Sequence, residues 1–150
     1  MIHLHHSGSP KTVAVCLAGV GLSLLLVGIV SGTLIRHIIQ VVPIIIGLFI
    51  VSRRPAWGAY AAMPLFLFWL AIMLLIWSYL LGFSSIASGH YTVTEIVLTI
   101  VMAVLSVAGV VAACRLGAAL RSGSRAIAFV CFGLLQFVVM WMSFVLRIDM

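Results

Sequence analysis

The chain has 150 residues, of which 65% are hydrophobic and 7% are charged, whereas a soluble domain has roughly a quarter of its residues charged. Such a composition cannot cover a water-exposed surface. The formal net charge of +6 would suit nucleic acid or anionic lipid, but the basic residues stand at the ends of apolar runs, which is typical of membrane proteins. The composition therefore argues against a nucleic-acid partner and predicts an all-α integral membrane protein.

Apolar runs recur along the whole chain, and a run of about 20 residues is what a helix needs to cross the hydrocarbon of a bilayer. We predict a single domain, a compact bundle of about five transmembrane helices preceded by a short tail over residues 1–11. The predicted spans are 12–30, 34–52, 57–83, 93–114 and 126–146.

The apolar stretch over residues 12–51 admits two interpretations. Either it is one long helix followed by a short stub, which would leave four spans, or it is a tight helical hairpin. Ser31, Gly32 and Thr33 supply turn-forming residues in its middle, and a split there gives two spans of about 19 residues, each roughly 28 Å long. We predict the hairpin.

The start of the fourth span carries a helix-capping pattern. Thr92 stands three residues before Glu95, which is the spacing of a capping box, where each side chain bonds the other residue's backbone N–H. We therefore predict a helix cap by Thr92 and Glu95. This role accounts for Glu95, which we expect at the membrane interface and not buried in hydrocarbon.

The basic residues divide unequally between the two ends of the bundle. With five spans, the end that holds the N-terminus carries Lys11, Arg53, Arg54, Arg115, Arg121 and Arg125, whereas the opposite end carries Arg36 and Arg147. The positive-inside rule then places the N-terminus in the cytoplasm and the C-terminus outside. We expect a bacterial-type plasma membrane, with anionic headgroups contacting the basic residues at the cytoplasmic face.

Polar residues mark one face of the second span and one face of the fifth. On the second span the face comprises Arg36, Gln40, Pro43, Gly47 and Arg54, and on the fifth Arg125, Phe129, Gly133, Gln136, Met140, Ser143 and Arg147. We expect both faces to point away from lipid, with Gln40, Gln136 and Ser143 as buried polar residues between helices. Gln136, near the bilayer midplane, makes either an interhelical hydrogen bond or a contact to a substrate or ion.

Two histidines are candidate cofactor ligands. His37 in the second span and His90 before the fourth are expected at the same side of the membrane, where neutral imidazoles can ligate a haem iron or copper. The alternative is that both are interfacial polar residues. No metal-binding spacing accompanies them, since Cys16, Cys114 and Cys131 are scattered, so the cofactor stays unknown.

The first span carries a strip of small residues at helical spacing, which comprises Ala14, Ala18, Gly21, Gly28 and Gly32. Small residues let transmembrane helices approach closely. The strip is a candidate association face, and it either docks another chain or seats the first helix against its own hairpin partner.

No nucleophile and base pair, metal cluster or phosphate loop can be assembled, which argues against an enzyme acting alone. We expect an accessory or structural subunit that works by helix association, with other membrane subunits or its own copies as partners. One alternative is an oligomeric permeation protein for a small molecule or ion that uses the faces of Gln40 and Gln136. A second alternative is an electron-transfer protein with haem or metal at His37 and His90.

Overall fold

The computed structural model describes residues 9–86, 89–116 and 122–145, and all regular secondary structure in these ranges is helical. The helices are α1 (Pro10–Val30), α2 (Leu34–Arg53), α3 (Pro55–Leu80), α4 (Val93–Leu116) and α5 (Ser122–Val145). All five are long and apolar enough to cross a membrane. The prediction of an all-helical chain with five membrane-length helices is confirmed, and it indicates a membrane location.

The hairpin between α1 and α2 is closed by the chemistry of its turn. Thr33 N–H donates to Gly28 O at 2.8 Å and Gly32 N–H donates to Ile29 O at 3.4 Å, which is the bond pattern of a Schellman motif. Gly32 has φ +69°, a left-handed conformation that glycine adopts without steric cost. The single long helix is therefore wrong, and the split falls where it was predicted.

The third helix ends three residues earlier than predicted, at Leu80 instead of residue 83. A second Schellman motif ends it, because Gly82 has φ +79° and Phe83 N–H donates to Ser78 O at 2.8 Å. Its start also differs, since Pro55 occupies the first helical turn, where the missing N–H of proline costs no hydrogen bond.

The last two helices also differ from their predicted bounds. The fourth helix continues to Leu116, two residues beyond 114, and the fifth begins at Ser122 instead of residue 126. Both extensions lengthen helices into the basic segment between the two spans. The predicted end at residue 146 lies outside the described residues, as do Arg121 and Arg147.

The bundle is built around the pair α2 and α3, which contact each other. Helices α1 and α4 pack together on one side of this pair, and α5 lies on the other side against both members. The α5 span is 17% buried inside the bundle, against 44% for α1 and α3. The core forms between α1, α2, α3 and α4, and it includes Leu17, Leu24, Ile44, Leu65, Phe66 and Met102.

Candidate binding cavity

A cavity of about 160 Å³ lies between the helices, at the end of the bundle where α2 and α4 begin. Its lining combines apolar side chains with several that carry charge or hydrogen-bonding groups. The lining residues are Leu24, Val27, Arg36, His37, Gln40, Trp69, Ile72, Met73, Ile76, Tyr91, Glu95, Thr99, Met102, Met140 and Phe144. All five helices contribute to it, and we call it the polar cavity.

Glu95 provides the carboxylate of the polar cavity and also caps α4. Its Oε2 accepts hydrogen bonds from Thr92 N at 2.7 Å and Thr92 Oγ1 at 2.8 Å, while its own N–H donates to Thr92 Oγ1 at 3.3 Å. These are the reciprocal bonds of a capping box. Glu95 is 9% exposed, so the bundle covers most of its side chain. The cap occupies Oε2, which leaves Oε1 for a ligand.

His37 contributes an imidazole whose tautomer follows from its neighbours. Ser31 Oγ uses its proton to donate to Val27 O at 2.8 Å, so it accepts the proton of the Thr33 hydroxyl, 2.6 Å away. That hydroxyl therefore has no proton left to donate to His37 Nδ1. His37 Nδ1 lies 3.0 Å from the carbonyl oxygen of Thr33, which can only accept. Nδ1 therefore carries the proton, and Nε2 of the neutral ring is the acceptor.

Gln40 is fixed on the cavity wall by α5. Its Nε2 donates to Ser143 Oγ at 2.9 Å and to Met140 Sδ at 3.1 Å, while Ser143 Oγ donates to Met140 O at 2.7 Å. Gln40 and Ser143 are each 2% exposed. Because both α5 contacts use Nε2, Oε1 is the amide atom left for a ligand.

Arg36 adds a positive charge to the same lining, and Trp69 adds a donor. The Arg36 guanidinium lies over the Phe144 ring, with Cζ 4.8 Å from the ring centroid. Trp69 is 2% exposed, and its Nε1 has no hydrogen-bond partner among the described residues. A buried indole N–H usually finds a partner, so Trp69 is a donor that a cavity ligand would satisfy.

Tyr91 lies in the segment between α3 and α4 and lines the cavity at that end of the bundle. Its ring centroid is 6.1 Å from that of Tyr79. Burial raises the pKa of the Tyr91 phenol above its ordinary value, and the neighbouring Tyr79 and Glu95 raise it further. The hydroxyl therefore stays protonated at neutral pH and can act as a donor.

Gln136 lies elsewhere in the bundle. It is 0% exposed, but it does not line the polar cavity. Neither Oε1 nor Nε2 has a hydrogen-bond partner among the described residues, so the interhelical bond expected for Gln136 is not formed there. The bond that joins α2 to α5 comes from Gln40 instead.

The two histidines do not share the cavity. His90 is exposed and does not line it, whereas His37 does. No group of three or more His, Cys, Asp or Glu residues suited to a metal occurs in the described part of the chain. A cavity near 150 Å³ accepts a molecule the size of benzene, and a porphyrin is far larger. The geometry therefore gives no support to a haem site there.

The small residues of α1 divide between two environments. A Cβ on Gly21 would meet Ile44 at 3.4 Å, and a Cβ on Gly28 would meet His37 Cβ and Leu34 Cα, both at 3.0 Å. Helix α2 therefore covers these two glycines. The remaining three are more open, since Ala14 is partly buried and Ala18 and Gly32 are exposed.

Sequence reasoning missed Trp69, Tyr91 and Thr99 as cavity residues. A signal for α4 was present, because Glu95, Thr99 and Met102 recur at intervals of four and three residues and so share one helix face. Thr99 accepts from Trp77 Nε1 at 3.1 Å and donates to Ile96 O at 2.7 Å. Trp69 stands in a uniformly apolar run, where nothing in the sequence marks its face.

Comparison with protein-family models, curated proteins and solved structures gives no match to this chain.

Proposed function

We propose that this protein binds a small polar molecule in the polar cavity, which the ligand enters from the end of the bundle where α2 and α4 begin. One observation carries the proposal. A carboxylate, a guanidinium and an imidazole, those of Glu95, Arg36 and His37, line one cavity in a chain with only 7% charged residues. Ionisable groups are costly among membrane helices, and they mark substrate or ion pathways.

Hydrogen-bonding capacity defines the class of ligand. Trp69 and Tyr91 offer donors, Oε1 of Glu95 and Oε1 of Gln40 offer acceptors, and Arg36 adds a positive charge. A matching molecule carries an acceptor and a donor group on a small apolar body, because methionine and aliphatic side chains form the rest of the wall. The volume of about 160 Å³ limits it to about the size of benzene. This corresponds to the binding step of the permeation alternative.

The proposal is tested by measuring the melting temperature, Tm, of the purified protein with and without benzene-sized primary amides, amines and amino acids. Toluene serves as the apolar compound of the same size. A ligand at a hundred times its Kd stabilises the fold by about 2.7 kcal/mol. We expect at least one polar compound to raise Tm, and toluene to leave it unchanged.

Two variants separate the cavity carboxylate from the helix cap. Glu95→Gln removes the charge that faces the ligand, so the ligand-induced rise in Tm should disappear. Thr92→Ala weakens the same cap but leaves the carboxylate, so its Tm should be lower and the ligand-induced rise should persist. If no polar compound shifts Tm, or if Glu95→Gln keeps the full shift, the proposed function is wrong.

A second candidate function is the accessory role through helix association, and the position of α5 favours it. This helix is the least buried of the five, and its outer face carries Leu134, Phe137 and Trp141, each 60% exposed or more. Gly21 and Gly28 are covered by α2, so we place association at α5 instead of the small-residue strip. The partner is another membrane subunit or a second copy.

Crosslinking on α5 tests the association role. A cysteine at Leu134 in a cysteine-free background should crosslink in membranes, whereas one at buried Ala128, 4% exposed, should not. A native gel of the same preparation tells a homo-oligomer from a complex with another subunit. Failure of both cysteines to crosslink would remove this role and leave the binding proposal untouched.

We also propose that the N-terminus is cytoplasmic in a plasma membrane of bacterial type. The described bases support this orientation. Lys11, Arg53, Arg54, Arg115 and Arg125 lie at the end where α2 ends and α3 begins, and Arg36 lies at the other.

A further inference from the structure

A second groove lies at the opposite end of α2 from the polar cavity. It has a volume of about 320 Å³ and is lined by Phe49, Ile50, Arg53, Arg54 and Trp57. Phe49 is 60% exposed and both arginines are exposed, so the groove opens to the outer surface of the bundle. We call it the arginine groove.

A rigid corner holds the two arginines in place. Helix α2 ends at Arg53 and α3 begins at Pro55, so Arg54 alone joins them. Arg54 N–H donates to Ile50 O at 2.7 Å, and Gly58 N–H donates to Arg54 O at 2.9 Å. Both guanidinium groups therefore extend from a backbone that is hydrogen-bonded on each side.

No carboxylate in the described part of the chain lies near the groove. Glu95 is the only acidic residue among the described residues, and it lines the polar cavity with Arg36 from the first turn of α2. Arg53 ends the same helix, about 25 Å from Arg36 along its axis. The Arg53 guanidinium lies over the Phe49 ring, with Cζ 5.2 Å from the centroid, so the cation borders the apolar wall directly.

We propose that the arginine groove binds one anionic glycerophospholipid. Arg53 and Arg54 bind its phosphate, and Phe49, Ile50 and Trp57 contact the upper part of an acyl chain. The order of residues along α2 matches such an amphiphile, because the apolar lining precedes the bases toward the helix end, where the headgroups lie. Phosphatidylcholine fits less well, since its quaternary ammonium would face two guanidinium groups. This proposal is independent of the polar cavity.

Native mass spectrometry of the detergent-purified protein, titrated with phosphatidylglycerol or phosphatidylcholine, tests the site. Loss of one base near an anionic lipid surface weakens binding several-fold, and the effects of two bases multiply. The double variant Arg53→Gln/Arg54→Gln should therefore bind phosphatidylglycerol roughly thirty-fold more weakly. Arg115→Gln is the matched control, because Arg115 is an exposed arginine at the end of α4 and lies outside the groove. It should retain wild-type affinity.

Three results would overturn the proposal: equal loss in the double variant and the control, no loss in the double variant, or displacement of the lipid by millimolar glycerol 3-phosphate. The last would assign the groove to a free phosphate.

A fluorescence measurement on protein that keeps both arginines adds an independent check. Phosphatidylglycerol with brominated chains should quench the tryptophan fluorescence of the wild-type protein more than that of Trp57→Phe. With the wild-type protein, it should also quench more than brominated phosphatidylcholine does. Equal quenching by the two lipids would contradict the proposal.

Discussion

Gln40 on α2 donates through Nε2 to Ser143 Oγ on α5, across 2.9 Å and with both side chains buried. The pair joins the least buried helix of the bundle to one of its two central helices. It also sets the orientation of the Gln40 amide at the wall of the polar cavity. One hydrogen bond therefore serves both helix packing and the shape of the candidate site.

Ser143→Ala should lower the free energy of unfolding by about 0.6 kcal/mol, and by no more than about 1.7, the range found for hydrogen bonds between membrane helices. A double-mutant cycle with Gln40→Leu, followed by unfolding in a denaturing detergent, measures the coupling between the two side chains. Additive effects of the two substitutions would show that the bond contributes nothing.

Gln136→Leu should leave the fold unchanged or make it more stable by about 1 kcal/mol. The amide is fully buried and has no partner among the described residues, and an unsatisfied buried polar group costs about 1–3 kcal/mol. Leucine has a similar length and no polar atoms. The same unfolding assay measures the change, and a clear loss of stability would show that Gln136 makes a stabilising bond.

The elements of this fold could be predicted where the signal is local. Run length and the residues of the Ser31 to Thr33 turn indicated the hairpin, and the spacing of Thr92 and Glu95 indicated the cap. The end of α3 was missed although Gly82 marks it, because that glycine stands between apolar Leu81 and Phe83, at the end of a long apolar run. Apolarity extends a predicted span, and only the backbone geometry shows where it stops.

The polar cavity could not be predicted, because it depends on which helices become neighbours. Gln40 was expected to be buried, but nothing in the sequence pairs it with Ser143. Glu95 was explained by its cap alone, although the packing of α4 against the rest of the bundle also buries it. One residue serves two purposes there, and sequence spacing revealed only the local one.

Gly58→Ala should strongly destabilise the bundle. A Cβ at this position would overlap the backbone of Val51, with the amide nitrogen 2.6 Å away. Backbone atoms at the α2–α3 corner cannot move aside as a side chain can, so the cost should exceed the 1–3 kcal/mol that is typical of overpacking.

Gly133→Ala is the matched control for Gly58→Ala. Its nearest contact would be Pro64 Cβ at 3.6 Å, an ordinary van der Waals distance, and alanine favours a helix over glycine by about 1 kcal/mol. Thermal unfolding in detergent should show a lower Tm for Gly58→Ala and an unchanged or higher Tm for Gly133→Ala. Equal effects would contradict the close approach at the corner.

The orientation of the chain predicts the sidedness of labelling. Phe83, which follows α3, is 83% exposed, and Gly123 lies in the first turn of α5 and is exposed. In a cysteine-free background, a membrane-impermeant maleimide added outside intact cells should label Phe83→Cys. Gly123→Cys should react only after the cells are opened. The reverse pattern would place the N-terminus outside, and labelling of both from one side would mean an even number of membrane crossings between them.

The polar cavity should be open to water, and two positions on one turn of α3 test this. Ile76 lines the cavity and is partly buried, whereas Leu74, two residues earlier, is 63% exposed on the outer surface of the bundle. A methanethiosulfonate reagent reacts with the thiolate, which forms in water and not in hydrocarbon. With the native cysteines replaced, a small cationic reagent of this class should modify Ile76→Cys at least about tenfold faster than Leu74→Cys, because the exposed surface around Leu74 faces lipid.

Glu95→Gln in the Ile76→Cys background should slow the reaction, since the carboxylate attracts the cation. If Leu74→Cys reacts as fast as Ile76→Cys, water reaches both surfaces equally, and the cavity has no special access from the aqueous phase.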